Sequence, residues 1–126
     1  MARRSLWSAF ADAGDGVART IGEQPNFRIQ LALALIAVVL GVLFRLTQYQ
    51  WLALALVIGM VLAAELFNTC LEHIVDLIQP EAHPLARSAK HAGAAAVLVA
   101  SVSAVVVGAL IFGPALAALL RPATHH

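Results

Sequence analysis

The chain has 126 residues, of which 61% are hydrophobic and only 12% are charged, and its formal net charge at pH 7 is +1. Soluble globular domains are nearer half apolar and a quarter charged, so this composition excludes an ordinary soluble enzyme and favours a membrane protein. The near-neutral charge, with no basic run, also predicts no nucleic-acid partner. The length suits a single domain over residues 1–126.

The first predicted element is an amphipathic helix over residues 4–22. Leu6, Trp7 and Phe10 occur there among small and charged residues. This mixture is typical of a helix that lies in the plane of the membrane interface, with its apolar face towards lipid. We therefore expect residues 4–22 to rest on the membrane surface and not to cross it.

Three transmembrane helices are predicted after this surface helix, at residues 27–46, 50–78 and 92–120. They cover uncharged runs of 16, 19 and 29 residues. A helix needs about 20 apolar residues to cross the bilayer core, and the shortest run can span if the arginines at its two ends extend towards the interface. The predicted fold class is an all-α membrane protein with three transmembrane helices plus an N-terminal amphipathic surface helix.

The basic residues are divided unequally between the two sides of the predicted spans. Six fall on the side of the N-terminus and the 79–91 loop, namely Arg3, Arg4, Arg19, Arg28, Arg87 and Lys90. Two fall on the opposite side, namely Arg45 and Arg121. The positive-inside rule then predicts a multi-pass protein of the inner (plasma) membrane, with its N-terminus and the 79–91 loop in the cytoplasm.

Polar residues gather in the segment AAELFNTCLEHIVDLIQPEAHPLARSAKHAG, residues 63–93. At 100° per residue, Glu65, Asn68, Glu72 and Asp76 fall within an arc of about 80° on one helix. A carboxylate as deep in a span as Glu65 costs a few kcal/mol unless a partner or a function uses it. The stripe therefore predicts a polar site, although Glu72 and Asp76 alone would also suit the cytoplasmic end of a span.

The ionisable residues around this stripe suit phosphoryl transfer. Glu72 and Asp76 lie one helical turn apart and can share Mg2+, which takes one or two carboxylates and keeps phosphate oxygens as further ligands. Arg87, Lys90 and His91 fall on one face of the next helix, where cations would neutralise phosphate charge. Arg87 and Lys90 also suit a simple positive-inside anchor. The sequence has neither a zinc-protease motif nor a P-loop.

The segment ELFNTCLEHIVDLIQPEAHPLARSAKHAGAAAVLVA resembles the signature of the prokaryotic integral-membrane diacylglycerol kinase family, and its loop is most similar to the undecaprenol kinase branch. The resemblance implies a homotrimer with active sites between subunits. It also implies that ATP, with Mg2+, phosphorylates the hydroxyl of a membrane lipid, either undecaprenol or diacylglycerol.

The same resemblance assigns roles to individual residues. Glu65 matches the general base, Asn68 a polar catalytic residue and Lys90 the phosphate-contacting lysine. With Arg87 and His91 added from the cationic face of the next helix, the predicted nucleotide-binding set is Glu72, Asp76, Arg87, Lys90 and His91. The metal-binding set is Glu23, Glu72 and Asp76.

Two positions depart from the family pattern. The family has Asp where this chain has His91, and it has Glu where this chain has Gln24, with Glu23 one residue earlier. We expect Glu23 to reach the metal if the turn at Pro25 shifts the register. Two alternatives remain open: a catalytically weak or inactive family member that binds lipid or assists assembly, and an oligomeric ion pathway lined by the acids.

The charge distribution makes a prediction about topology. With six of the eight basic residues on the cytoplasmic side, an odd number of spans carries the C-terminus out of the cytoplasm. A reporter fused after His126 should give an external signal, and a reporter in the 79–91 loop should give a cytoplasmic signal. A cytoplasmic signal from an intact fusion after His126 would contradict this topology.

Overall fold

The computed structural model describes residues 5–120, which form four helices and, within this range, no strand. The helices are α1 (Leu6–Glu23), α2 (Pro25–Leu43), α3 (Gln48–Ile78) and α4 (Pro84–Leu120). Helices α2, α3 and α4 are long and apolar enough to cross a membrane. The predicted fold class is confirmed: the chain is an all-α, multi-pass membrane protein with an N-terminal amphipathic helix. The homotrimer stays a prediction.

Helix α1 has one apolar face and one charged face. Leu6, Trp7, Phe10, Val17 and Ile21 are all exposed, and at 100° per residue they occupy an arc of about 100°. Side chains of this kind on one face bind the apolar part of a membrane interface.

The junction between α1 and α2 is a single residue, Gln24. Its extended backbone ends α1, and Pro25 begins α2 at a position where the missing N–H costs nothing. The Arg28 guanidinium then donates to the carbonyls of Ile21 and Gly22, at 3.2 and 3.3 Å. These bonds satisfy carbonyls that the end of α1 leaves free, so Arg28 ties the surface helix to the first span.

The turn between α2 and α3 is closed by caps on both helices. Arg45 adopts a left-handed backbone conformation (φ 54°), and the N–H of Leu46 donates to the carbonyl of Gly41, which is the bonding pattern of a Schellman motif. Thr47 then forms a capping box with Gln50 at the start of α3. These caps hold α2 antiparallel to α3.

Helix α4 begins at Pro84, eight residues before the predicted start of the third span at residue 92. The cause is local capping. The N–H of Leu85 donates to His83 Nδ1 at 3.2 Å, and the N–H of Arg87 donates to the His83 carbonyl at 3.0 Å. With Pro84 in the first helical position, the connection from α3 shortens to residues 79–83.

The closest helix packing is between α3 and α4. One face of α3 buries Leu54 and Val61 and, further along, Glu65 and Thr69. Gly93 of α4 allows the closest approach. A methyl group added there would collide with the side-chain oxygen of Asn68 and would lie 2.9 Å from Cδ2 of Leu71. The polar part of α3 is therefore packed directly against α4.

We predict that Gly93→Val separates α3 from α4 and lowers the midpoint of thermal unfolding in detergent. Overpacking of this kind costs about 1–3 kcal/mol. Gly108→Val on the same helix is the matched control, because nothing lies within 4 Å of a side chain added there. Equal unfolding midpoints for the two variants would contradict the close packing at Gly93.

Candidate functional site

Glu65 lies in the middle of the site and is almost completely buried, with 3% of its surface exposed. Gln30 of α2 donates from Nε2 to Glu65 Oε2 at 3.1 Å. A buried carboxylate needs such a donor, because burial without one is costly. The other end of the Gln30 amide, Oε1, is buried and has no hydrogen-bond partner among the described residues.

One turn further along α3, Asn68 and Glu72 form a second polar pair. Asn68 donates from Nδ2 to Glu72 Oε1 at 3.0 Å. Asn68 Oδ1 lies against Gly93 and, like the hydroxyl of Thr69, is buried without a hydrogen-bond partner in the described part of the chain. The contact orients the Glu72 carboxylate and leaves its second oxygen available for a cation.

Another turn further, Asp76 pairs with Lys90 of α4, with 2.5 Å between Asp76 Oδ1 and Lys90 Nζ. Both side chains line a cleft of about 400 Å³ between the end of α3, the 79–83 connection and the start of α4. Arg87 and His91 line the same cleft. The cleft is also lined by His83 and by a second carboxylate, Glu81. Two cations and two imidazoles thus share it with two carboxylates, and the cations can bind an anion such as a nucleotide phosphate.

Glu23, the last residue of α1, lies beside the stripe. Its Oε2 is 3.4 Å from Nε2 of His73, the residue that follows Glu72 on α3. The extended backbone at Gln24 ends α1, so Glu23 lies beside the turn of α3 that carries Glu72 and His73. Within residues 5–120, no three His, Cys, Asp or Glu side chains gather closely enough to hold a metal ion. Any Mg2+ here would therefore rely on phosphate oxygens or on groups outside the described part of the chain.

The structure thus divides the predicted site residues into groups. Asp76, Arg87, Lys90 and His91 share one cleft, and Asn68 with Glu72 lies between that cleft and Glu65. Glu65 is not in the cleft: the distance to Asp76 along α3 is about 16 Å, at 1.5 Å per residue.

Two partners were not identified from the sequence, Gln30 and His73. Gln30 had a detectable signal, because it is the only polar residue between Arg28 and Arg45. His73 had none, since its contact with Glu23 depends on how α1 meets α3.

An apolar groove of about 300 Å³ runs between α2, α3 and α4 and ends near Glu65. Gln30 and Ser101 are the only polar residues that line it. Val61 lies one turn from Glu65 on the same face of α3. The groove therefore leads from the lipid-facing part of the bundle to the buried carboxylate, and its dimensions suit a section of hydrocarbon chain.

Comparison with known proteins agrees with this architecture. The family model for prokaryotic diacylglycerol kinase matches residues 11–112. An undecaprenol kinase of Bacillus subtilis (strain 168) is 40% identical over 111 residues, which are 88% of this chain and 90% of that protein. A diacylglycerol kinase of Synechocystis sp. is 36% identical over 117 residues, which are 92% of this chain and 67% of that protein. A diacylglycerol kinase of Sinorhizobium sp. is 33% identical over 95 residues, which are 75% of this chain and 69% of that protein. The chain therefore belongs to the prokaryotic diacylglycerol kinase family.

Proposed function

We propose that this chain is a membrane lipid kinase that transfers the terminal phosphoryl group of ATP to the hydroxyl of undecaprenol or diacylglycerol. Membership of the family and the names of its relatives support lipid phosphorylation. The single observation that carries the assignment of the site is the buried Glu65 carboxylate, which lies between an apolar groove and a cationic cleft.

The depth of Glu65 in the membrane supports its role as the general base. Along α3, Glu65 lies about 26 Å from Gln48 at the opposite end of the helix. The bilayer core is about 30 Å thick, so Glu65 falls close to its inner edge if α3 starts at the outer edge. Asp76 lies about 16 Å further on and reaches the aqueous side. A lipid hydroxyl and a nucleotide can then approach the same face of α3 from opposite directions.

In the proposed reaction, the Glu65 carboxylate accepts the proton of the lipid hydroxyl. The hydroxyl oxygen forms a bond to the γ-phosphorus of ATP, the bond from that phosphorus to the β,γ-bridging oxygen breaks, and ADP leaves. Lys90 and Arg87 bind phosphate oxygens in the cleft, and Asn68 orients Glu72. His91 occupies a cleft position from which it contacts the nucleotide.

Mg2+ fits the residues that are present if phosphate oxygens complete its coordination. Glu72 has one oxygen bonded to Asn68 and the other available, and Glu23 lies at the same height. Glu72 would hold the ion together with phosphate oxygens, and either Glu23 or Asp76 could add a second carboxylate, since the three do not gather at one point among the described residues. When bound, Mg2+ neutralises charge on the transferred phosphoryl group.

The orientation and the assembly belong to the same proposal. Because six of the eight basic residues fall, in the sequence, on the side of the N-terminus and the 79–91 segment, we place the cleft and the N-terminus in the cytoplasm, where ATP is available, and the helices in the inner membrane. We also propose a homotrimer, in which other subunits cover part of the exposed apolar surface of α2, α3 and α4.

The decisive experiment measures phosphate transfer from ATP to undecaprenol and to diacylglycerol by purified protein, with Glu65→Gln beside the wild type. Glutamine keeps the shape and hydrogen-bonding capacity of this residue but cannot accept the proton. Transfer should therefore fall by about 10² or more, while ATP binding and oligomeric state are retained.

The matched control is Asp15→Asn, which neutralises an exposed carboxylate of α1, about 12 Å along the helix from Glu23. This variant should transfer phosphate normally. Near-normal transfer by folded Glu65→Gln would remove Glu65 as the base. Absence of transfer from wild-type protein to either lipid would overturn the proposed function itself.

We further predict that transfer requires Mg2+ and that Glu72→Gln raises the Mg2+ concentration needed for half-maximal rate or abolishes turnover. The physical reason is the loss of one carboxylate from a site that offers few of them. The measurement is the transfer rate as a function of Mg2+ concentration, with the thermal unfolding midpoint as the test of folding. An unchanged Mg2+ dependence in the folded variant would exclude Glu72 from the metal site.

A further inference from the structure

Gln30 both lines the apolar groove and donates a side-chain hydrogen bond to Glu65. It is also the only polar side chain in the first span, between Arg28 and Arg45. A glutamine in hydrocarbon is costly unless its amide is hydrogen-bonded. Its position at the inner end of the groove therefore requires an explanation beyond packing.

The hydrogen bond to Glu65 determines how the Gln30 amide is oriented. An ionised carboxylate accepts hydrogen bonds, so the Nε2 group must face Glu65 Oε2, as it does at 3.1 Å. The amide oxygen then points elsewhere, and it is buried without a donor among the described residues. A hydroxyl or a water arriving along the groove can supply that donor.

We infer that Gln30 is a positioning residue for the reaction: its amide N–H holds the Glu65 carboxylate at the inner end of the groove, where the hydroxyl of the lipid arrives. The inference rests on the proposed function of Glu65 as the base. Gln30 holds one carboxylate oxygen, which leaves the other to accept the proton. Because α2 carries Gln30 and α3 carries Glu65, the base is held across two helices and not by α3 alone.

Gln30→Met tests the inference, since methionine has a similar length but no N–H group. We expect kcat to fall about tenfold or more, because a base displaced by a fraction of an ångström transfers a proton poorly. The KM for ATP should change little, since Gln30 is not among the described residues that line the cleft of Asp76 and Lys90. The thermal unfolding midpoint should fall, because the buried Glu65 carboxylate loses its hydrogen-bond donor, and a cooperative transition at this lower midpoint shows that the variant is still folded.

A double-mutant cycle separates positioning from a structural role. If Gln30 acts through Glu65, then adding Gln30→Met to Glu65→Gln should change transfer by less than about twofold, whereas independent effects would multiply. The matched control is Ser103→Ala, which removes a polar group of α4 that bonds only to the Val99 carbonyl of its own helix. This control should leave kcat unchanged.

A third measurement does not depend on activity. A hydrophobic carbodiimide reacts with neutral carboxyl groups in membranes, and mass spectrometry can locate the product at Glu65. Removing the N–H donor frees Oε2 of Glu65 from its hydrogen bond, so the carboxyl group is less tightly held and Gln30→Met should be labelled faster than wild type, whereas Ser103→Ala should be labelled at the wild-type rate.

The outcomes distinguish the inference from the function on which it rests. Normal kcat in folded Gln30→Met, or an unchanged labelling rate, overturns the positioning role of Gln30. If Glu65→Gln is still impaired, the assignment of Glu65 as the base stands. Normal transfer by folded Glu65→Gln overturns the base and the positioning role together. A further tenfold loss in the double variant shows that Gln30 acts independently of Glu65, and this also overturns the inference.

Discussion

The buried carboxylate of Glu65 is the constraint on which the rest of this structure depends. A charged group near the edge of the hydrocarbon is retained only when the protein supplies a partner. Here the partner is the side-chain amide of Gln30 on α2. Apart from this contact, α2 packs less extensively against α3 than α4 does. This hydrogen bond holds α2 in a defined position against α3. The groove that these two helices line together with α4 depends on that position.

A continuous α3 links the two ends of the site. Because a helix is stiff and rises 1.5 Å per residue, polar side chains on successive turns are held at fixed heights above one another. Helix α4 stabilises this arrangement at two levels, through the close approach at Gly93 and the ion pair of Lys90 with Asp76. The buried carboxylate and the exposed cleft are therefore joined by one rigid element.

Much of the fold could be predicted from the sequence, because hydrophobic runs report membrane spans directly and helical periodicity places the acids on one face. The sequence left the start of α4 open. Residues 85–92 could begin the third helix or form a separate surface helix before a span at 92–120, and the structure joins them into one helix from Pro84. His83 was a candidate loop cap, and its cap of Leu85 is confirmed. The contact of Gln30 with Glu65 was missed, since it joins residues 35 positions apart on different helices. Glu23 was expected to reach the metal if the turn at Pro25 shifts the register; its side chain lies beside His73, and its role as a metal ligand stays a prediction. The chemical roles of these residues remain proposals.

The short connection between α3 and α4 has a consequence for how the protein is made. Asp76 and Lys90 are only 14 residues apart in sequence, and the five residues at 79–83 between the two helices are closed by the His83 cap. Contacts across such a short separation need little loop-closure entropy and form early. The cationic cleft can thus assemble within one helical hairpin as it enters the bilayer. The groove and the buried carboxylate also need α2, so the deeper half of the site is completed only when the first span docks.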